Sequence, residues 1–517
     1  MPSDTISALS TPAHVRVTES RGISAGSVSP VVQSLVLTVL FSAAAAYEAV
    51  KTFALTTPEV WLHLRTGLWI LENRSIPYTG LFSQYSNLTW IDSTWGFDVL
   101  LGVAYHLFGL RSIPILLMAL KVALAVVTFL LARVGRVNFW GAVVLSAAAQ
   151  FVISSLQPLP YVFSILFFAV ELWLLARSRQ TGNTKNLFWL PLLFVMWANV
   201  HAQFVSGLLL LILFLPSLLL EAGLRRTEVG WLSERIQPLD LKRVGAVTLL
   251  SVLASFVNPY TFHIWSVFRS LYSAVGFEHF TEMSSMNFRH PQQFALMLLV
   301  MMAFLSLGRR KSIEIFELLT LLAGTLIAFR IERDGWMVVL PAIAVLSEGF
   351  RLLPGESEST PVAALGRGRA VTAALTVVAV GVAAVLVPGP KVLMERVSKN
   401  FPVKACDYIV ANHLPPPIFN TYSWGSFLTW YMPQYPVTVD SRVELYGEET
   451  LSNYFDIVSG KELLESQPMV ARARVLLLEK DSAIAKALVN LPGLKAQYDL
   501  VYEDDIAGVF VPRSGAP

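Results

Sequence analysis

Thr57-Pro58-Glu59-Val60-Trp61-Leu62-His63-Leu64-Arg65, then Ile76-Pro77-Tyr78-Thr79-Gly80, then Trp90-Ile91-Asp92-Ser93-Thr94-Trp95 interrupt a chain that is otherwise a succession of apolar segments. Carboxylates, a histidine and the tryptophans Trp61, Trp69, Trp90 and Trp95 follow directly on the first apolar run, which begins at Pro30. A loop of this composition, presented by a membrane span, is what a membrane-surface active site needs. It fixes the expected fold as a helical bundle in the bilayer carrying a chemically equipped outer loop.

Working outward, 54% hydrophobic and 15% charged residues among 517, with a mean hydropathy of +0.57, exclude an ordinary soluble globule. Apolar runs near the ~20 residues needed to cross a bilayer begin around Pro30, Ser112, Asn138, Tyr161, Leu187, Phe204, Val244, Phe294, Ile313, Trp336 and Ala370, which predicts about eleven helical spans. Gly96 to Leu110 is too short to cross comfortably, and its Asp98, Gly102 and His106 form a weakly polar stripe, so an interfacial helix is expected there. Arg133 and Arg136, Arg177, Arg179 and Lys185, Arg309 to Lys311, and Arg351, Arg367 and Arg369 fall in alternate connections, which makes those connections cytoplasmic. The N-terminus is then inside, and the loop at 52–111 and everything after Pro388 lie outside, on the periplasmic face of a bacterial inner membrane. Cys406 is the sole cysteine, so no intrachain disulfide is possible. The net charge of +3 reflects cytoplasmic anchors, and no nucleic-acid partner is expected.

Three parts follow. Residues 1–29 are rich in Ser and Thr and are expected to form a disordered cytoplasmic tail. Residues 30–388 form the transmembrane domain. From 389 to 517 the long apolar runs stop, and a small soluble α/β domain is expected, with strands at Pro417–Asn420, Val437–Val439, Arg474–Leu478, Leu500–Tyr502 and Ala507–Val511 and helices near Trp424–Tyr431, Glu448–Val458 and Ser482–Asn490. Overall, the class is mostly α: a polytopic helical membrane bundle with this terminal unit.

Thr57 as N-cap and Pro58 as the first helical residue start a helix with Glu59, His63 and Thr66 on one face. Glu59 and His63, one turn apart, read equally as a base and its orienter, as two ligands of a divalent cation, or as an ordinary polar pair. The tryptophans fit a membrane interface as well as sugar stacking, and Asp92 fits a helix cap. Lys121 is the charged residue near the middle of a predicted span and calls for a polar cavity, a partner or a lipid phosphate. Asn199 and His201 sit at a predicted outer membrane edge, Glu282 in a long outer connection, and Arg330, Glu332, Arg333 and Asp334 in a charged outer turn. Paired arginines on that side suit an anionic group such as a phosphate, with a local ion-pair cluster as the alternative. Trp424 opens a helix of the terminal domain, and Asp440 and Arg442 end one of its strands. There is no phosphate-binding glycine loop and no serine elbow.

With these residues in view, the chain resembles the bacterial multi-span proteins with the GT-C glycosyltransferase fold, relatives of the lipid-linked-sugar transferases, over most of its length. Their opening loop runs D-P-D-x-W-W-H-L-x-x-G, I-P-x-x-D-x-F-S and W-x-D-x-E-W-L, against Thr57 to Gly67, Ile76 to Ser83 and Trp90 to Gly96 here. Trp197-Ala198-Asn199-Val200-His201, Asn258-Pro259-Tyr260, Glu282, and Arg330 or Arg333 are further matches. A terminal Y-D-W-G-G-Y-L-x-W…D-G-R-x-x-L-Y-G is seen as Tyr422 to Trp430 and Asp440 to Gly447. Three acidic positions of that pattern are occupied by Thr57, Gly80 and Thr94, and Glu59 remains at the loop start.

The resemblance implies a periplasm-facing transferase that takes a sugar from a polyprenyl-phosphate donor and passes it to a glycan, lipid or protein acceptor. Glu59 is expected as base, with Asp92 and His63 in support. Lys121, Arg330 and Arg333 are expected around the donor phosphate, and Asn199, His201, Glu282, Trp424, Asp440 and Arg442 in substrate binding. A divalent cation is left open. The missing carboxylates point to an alternative, a non-catalytic relative that binds a lipid-linked glycan or a partner in envelope assembly. A transporter fits less well, because paired broken helices are lacking.

Overall fold

The computed structural model describes residues 28–51, 53–135, 137–224, 239–271, 283–349, 362–460 and 468–513. The expected tail at 1–29 lies almost entirely outside the described residues, as does Glu282.

Helices α1 (Pro30–Lys51), α2 (Glu59–Asn73), α3 (Trp95–Phe108), α4 (Ser112–Ala132), α5 (Phe139–Val152), α6 (Tyr161–Thr181), α7 (Leu190–Val200), α8 (Phe204–Leu224) and α9 (Leu241–Ala254) build the first part of the bundle. They are followed by α10 (Ile264–Leu271), α11 (Pro291–Gly308), α12 (Ile315–Arg330), α13 (Trp336–Gly349) and α14 (Val362–Leu386). Among the described residues six helical stretches are long and apolar enough to cross a membrane: Pro30–Lys51, Trp95–Ala132, Tyr161–Thr181, Phe204–Leu224, Pro291–Gly308 and Gly368–Leu386. That is fewer than the about eleven spans expected from apolar runs. The difference lies in α5, α7, α9, α12 and α13, which are 14, 11, 14, 16 and 14 residues long. At 1.5 Å per residue such helices fall short of a ~30 Å hydrocarbon layer.

Trp95–Ala132 is not one straight rod. Gly109 adopts φ +57°, a conformation that suits glycine alone, and the chain turns there between α3 and α4. Helix α3 is thereby freed to lie across α2. The crossing is close because both helices carry glycine at the contact: a Cβ on Gly67 would stand 1.8 Å from the Asp98 carbonyl oxygen, and one on Gly102 2.9 Å from the Gly67 carbonyl carbon.

Large side chains on the outer surface of the bundle, such as Val144, Leu326 and Val385, remain exposed, as a lipid-facing surface requires. Inside, α1 packs on α4 and α14, and the buried Glu48 carboxylate accepts from the Lys121 ammonium at 3.1 Å and from the Ala54 amide at 3.1 Å.

After α14 come α15 (Pro390–Val397), α16 (Val403–Ala411), α17 (Tyr422–Tyr431), α18 (Val443–Ser459), α19 (Pro468–Ala471), α20 (Ala483–Asn490) and α21 (Pro492–Gln497). They surround a sheet of β1 (Ile418–Asn420), β2 (Val475–Glu479), β3 (Tyr498–Glu503) and β4 (Ala507–Pro512) in the order β1-β2-β4-β3. Strand β1 runs parallel to β2, with Ile418 opposite Val475, and the two remaining pairings are antiparallel. The strand expected at Val437–Val439 is instead a point of pairing: Val437 bridges to Ile418 on one side and to Ser83 of the long loop on the other. The Val437 amide donates to the Phe82 carbonyl, and the Gln84 amide donates back to Val437. Trp61 of α2 packs edge-on against Phe401 and Phe427 and lies tilted against Trp430, so one apolar core runs from the membrane helices into the sheet-bearing unit.

Candidate functional site

Where α2, α3, the long loop, the α12–α13 turn and the sheet-bearing unit converge lies an open chamber with a cavity volume of about 180 Å³. Its polar lining comes from Glu59, His63, Asp92, Thr94, Asp98, His201, Arg333, Arg442 and Glu444, and its aromatic lining from Trp90, Tyr161 and Tyr422.

Helix α2 brings Glu59 and His63 to the chamber one turn apart. It begins at Glu59, and Pro58 before it supplies no side-chain cap, so the expected capping by Thr57 is not made. The crossing with α3 places Asp98 Oδ1 2.7 Å from His63 Nδ1, while Phe97 meets the imidazole edge-on at 5.3 Å. Burial holds His63 down to about 4, against the opposing pull of the Asp92, Glu59 and Glu444 carboxylates, so the imidazole is neutral at neutral pH. Asp92 is almost fully buried. Its Oδ1 accepts from the Thr94 amide at 3.1 Å and hydroxyl at 2.9 Å, and its Oδ2 has no hydrogen-bond partner among the described residues. Burial, and then the nearby Asp98, push its carboxyl well above the usual range.

Across the chamber, His201 follows the end of α7. The Trp197 indole N–H donates to Ser164 Oγ at 2.8 Å, and Ser164 Oγ lies 2.8 Å from His201 Nδ1. The Ser164 oxygen thus stands between the Trp197 indole and the His201 ring and holds the imidazole in place. Burial, then the positive charge of Arg333, hold His201 down to about 3. Arg333 stands in the short turn between α12 and α13, beside Asp334, which accepts from Gln203 Nε2 at 2.9 Å. The sheet-bearing unit closes the chamber. Arg442 is buried in a two-pronged pair with Asp440 and lies over the Trp90 ring at 4.7 Å, and the Trp90 indole donates to Glu444 at 3.0 Å.

Several expected site residues lie elsewhere. Lys121 is engaged by Glu48 between α1 and α4 and does not line the chamber, because an ammonium within a bundle takes the carboxylate the bundle offers. Arg330 ends α12 exposed and outside the lining. Trp424 is buried, its indole donating to the Asn400 carbonyl. Asn199 accepts from the Trp95 indole at 3.0 Å and donates to the carbonyls of Val195 and Val257, a brace between α3, α7 and the end of α9. Asp440 is fully enclosed and reaches the chamber only through Arg442.

Sequence reasoning passed over Asp98, Glu444 and Tyr161. Asp98 carried a signal, since it lies four residues before Gly102, whose lack of a side chain allows α3 to approach α2. Gly80 is tightly packed: a Cβ there would stand 2.4 Å from the Tyr85 carbonyl oxygen, which leaves no room for a side chain.

Among the described residues, the set of three acidic or histidine side chains with ligand atoms within 4.8 Å of one another is Glu314, Glu317 and Glu348, at the opposite ends of α12 and α13 from the chamber. In the chamber Asp92 Oδ1 is occupied by Thr94 and Asp98 Oδ1 by His63.

No family model matches the chain, and no curated protein matches it. Among solved structures it is similar to the oligosaccharyltransferase of Archaeoglobus fulgidus tethered with an acceptor peptide containing the NVT sequon, at 11% identity and a TM-score of 0.51, covering 94% of this chain and 74% of that one. The same enzyme in complex with an inhibitory peptide and a dolichol-phosphate is similar at 10% identity and 0.51, covering 91% and 72%. ArnT from Cupriavidus metallidurans in the apo state matches at 13% identity and 0.49, covering 93% and 98%. At these identities the likeness is one of architecture, and what it shows is a membrane protein with a GT-C-like fold.

Proposed function

We propose that this chain is a glycosyltransferase that moves a sugar from a polyprenyl-phosphate donor to an acceptor in the chamber, on the periplasmic side of a bacterial inner membrane. The observation that carries this reading is the chamber itself: Arg333 on one wall, Glu59, His63, Asp92 and Asp98 on the other, and Trp90, Arg442 and Glu444 above. A glycosyl transfer from a phosphate needs a cation for the departing phosphate, a base for the acceptor hydroxyl, and planar and carboxylate groups for sugar hydroxyls. The geometric neighbour that was solved with a dolichol-phosphate supports a lipid-linked donor. Of the three cations expected around the phosphate, Lys121 and Arg330 lie outside the chamber lining and Arg333 stays in it.

The test is transfer by the purified protein in lipid nanodiscs, with a radiolabelled undecaprenyl-phosphate hexose as donor and a detergent extract of envelope glycans and lipids as acceptor. Label moving to the acceptor in the native protein but not in Arg333→Gln supports the reading. Absence of transfer together with tight binding of the donor favours the second reading, a binding relative, for which Thr94 tying up Asp92 and the packed Gly80 are the supporting observations.

A further inference from the structure

The two histidines of the chamber are held in opposite ways. His201 has Nδ1 against the neutral Ser164 hydroxyl at 2.8 Å, an oxygen that also accepts from the Trp197 indole. His63 has Nδ1 against a carboxylate oxygen at 2.7 Å, a length typical of a charge-assisted bond, and no hydrogen bond is made at its Nε2 among the described residues. A carboxylate at Nδ1 fixes the tautomer with the proton on that nitrogen and leaves the Nε2 lone pair to accept. The side chain of His63 is 16% exposed and lines the chamber, while that of Asp98 is 2% exposed and sealed behind it.

We infer that His63 is the general base of the site and Asp98 the residue that positions it, an inference that rests on the transferase reading above. In the step, the acceptor hydroxyl gives its proton to His63 Nε2 as its oxygen forms a bond to the anomeric carbon. The bond from that carbon to the phosphate oxygen breaks, and its electron pair leaves with the phosphate beside Arg333. Nδ1–H stays with Asp98, whose charge offsets the imidazolium, as an aspartate does for the histidine of a serine-protease triad. Glu59, Asp92 and Glu444 add negative charge on the same side.

Two further observations favour the pair over the alternatives. Asp92, the other buried carboxyl of the chamber, has Oδ1 taken up by both the amide and the hydroxyl of Thr94, whereas the Nε2 of His63 is open to the chamber. The Gly67 and Gly102 contact brings α2 and α3 within close reach of each other, and each glycine lies one turn beyond a member of the pair.

The experiment reads His63 twice in the full-length protein in nanodiscs. First, diethylpyrocarbonate modification of His63 is quantified by mass spectrometry between about pH 5 and 8; a held, neutral imidazole reacts throughout that range, and Asp98→Asn slows the reaction severalfold. Second, transfer from undecaprenyl-phosphate hexose is followed: His63→Gln and Asp98→Asn each lower kcat by about 10²–10⁴-fold with KM little changed. Asp98→Asn is isosteric and stays testable if His63→Gln misfolds. Native turnover in either variant, or a His63 whose reactivity is indifferent to Asp98→Asn, would overturn the assignment. A pair that shows the reactivity in a protein that turns over no polyprenyl-phosphate sugar would overturn the transferase reading and the base role with it.

Discussion

Adding one methyl group at Gly67 tests the architecture more sharply than removing a charged group. In Gly67→Ala the new Cβ would lie 1.8 Å from the Asp98 carbonyl oxygen and 2.5 Å from its carbonyl carbon, both backbone atoms that cannot swing aside. Restoring ordinary contact requires α2 and α3 to part by roughly 1.5 Å. His63 sits one turn from the hinge point on one helix and Asp98 one turn from it on the other, so their 2.7 Å contact widens to about 4 Å, beyond hydrogen-bond range. A hydrogen bond to a charged group is worth about 1.5–3 kcal/mol, which predicts a rate about 10- to 100-fold lower, and overpacking adds about 1–3 kcal/mol of destabilisation. The assay is transfer from a polyprenyl-phosphate hexose alongside the thermal midpoint of the protein in nanodiscs. Gly245→Ala, where a Cβ meets nothing within 4 Å, is the control and should change neither. A Gly67→Ala protein with native rate and native His63 reactivity would refute the argument that the crossing sets the pair.

Three other outcomes are expected. His63 and His201 are depressed from 6.5 to about 4 and about 3, so below 6.5 the unfolded chain binds protons that the folded one does not. Stability should therefore be flat above about pH 6.5 and fall as pH drops toward 4, while kcat/KM shows no inflection at 6.5; a pH series of thermal midpoints and initial rates checks both. Arg333→Gln should weaken binding of undecaprenyl phosphate about 10- to 100-fold in native mass spectrometry, and Arg330→Gln should leave it unchanged. Lys121→Met should strand the Glu48 carboxylate and cost about 3–5 kcal/mol, with the double variant Glu48→Gln/Lys121→Met recovering much of it and all variants that fold keeping the native KM.

The helical bundle and the terminal α/β unit were legible because their signals are local: long apolar runs, and short β-rich segments bounded by Gly, Pro and polar residues. The chamber was legible in part. Glu59, His63, Asp92, His201, Arg333 and Arg442 all line it, since polar side chains beside a membrane span are conspicuous against their surroundings. Lys121 misled for a physical reason: a cation in an apolar run signals only that a partner exists, and Glu48, 73 positions away on another helix, cannot be recognised as that partner from spacing. Asp98 was hidden by the opposite effect. Its role depends on two glycines meeting across helices, and a glycine in a sequence does not announce what it lets approach. Six long apolar helices among the described residues stand against about eleven expected spans because hydropathy measures apolarity over a window, whereas the turns at Gly109 and His201 and the short helices α7 and α13 are set by tertiary packing.

The pairing of the long loop with Val437 has a consequence for biosynthesis. Trp90 and the Glu444 it holds are separated by 354 positions, and Gln84 and Thr438 by the same distance. The bundle enters the bilayer helix by helix as it is made, yet the chamber stays without a ceiling until the 430s and 440s have emerged and folded back on the first loop. If the proposed transfer holds, a nascent or clipped chain lacking that stretch would sit in the membrane inert, because the chamber is walled only once these distant segments have paired.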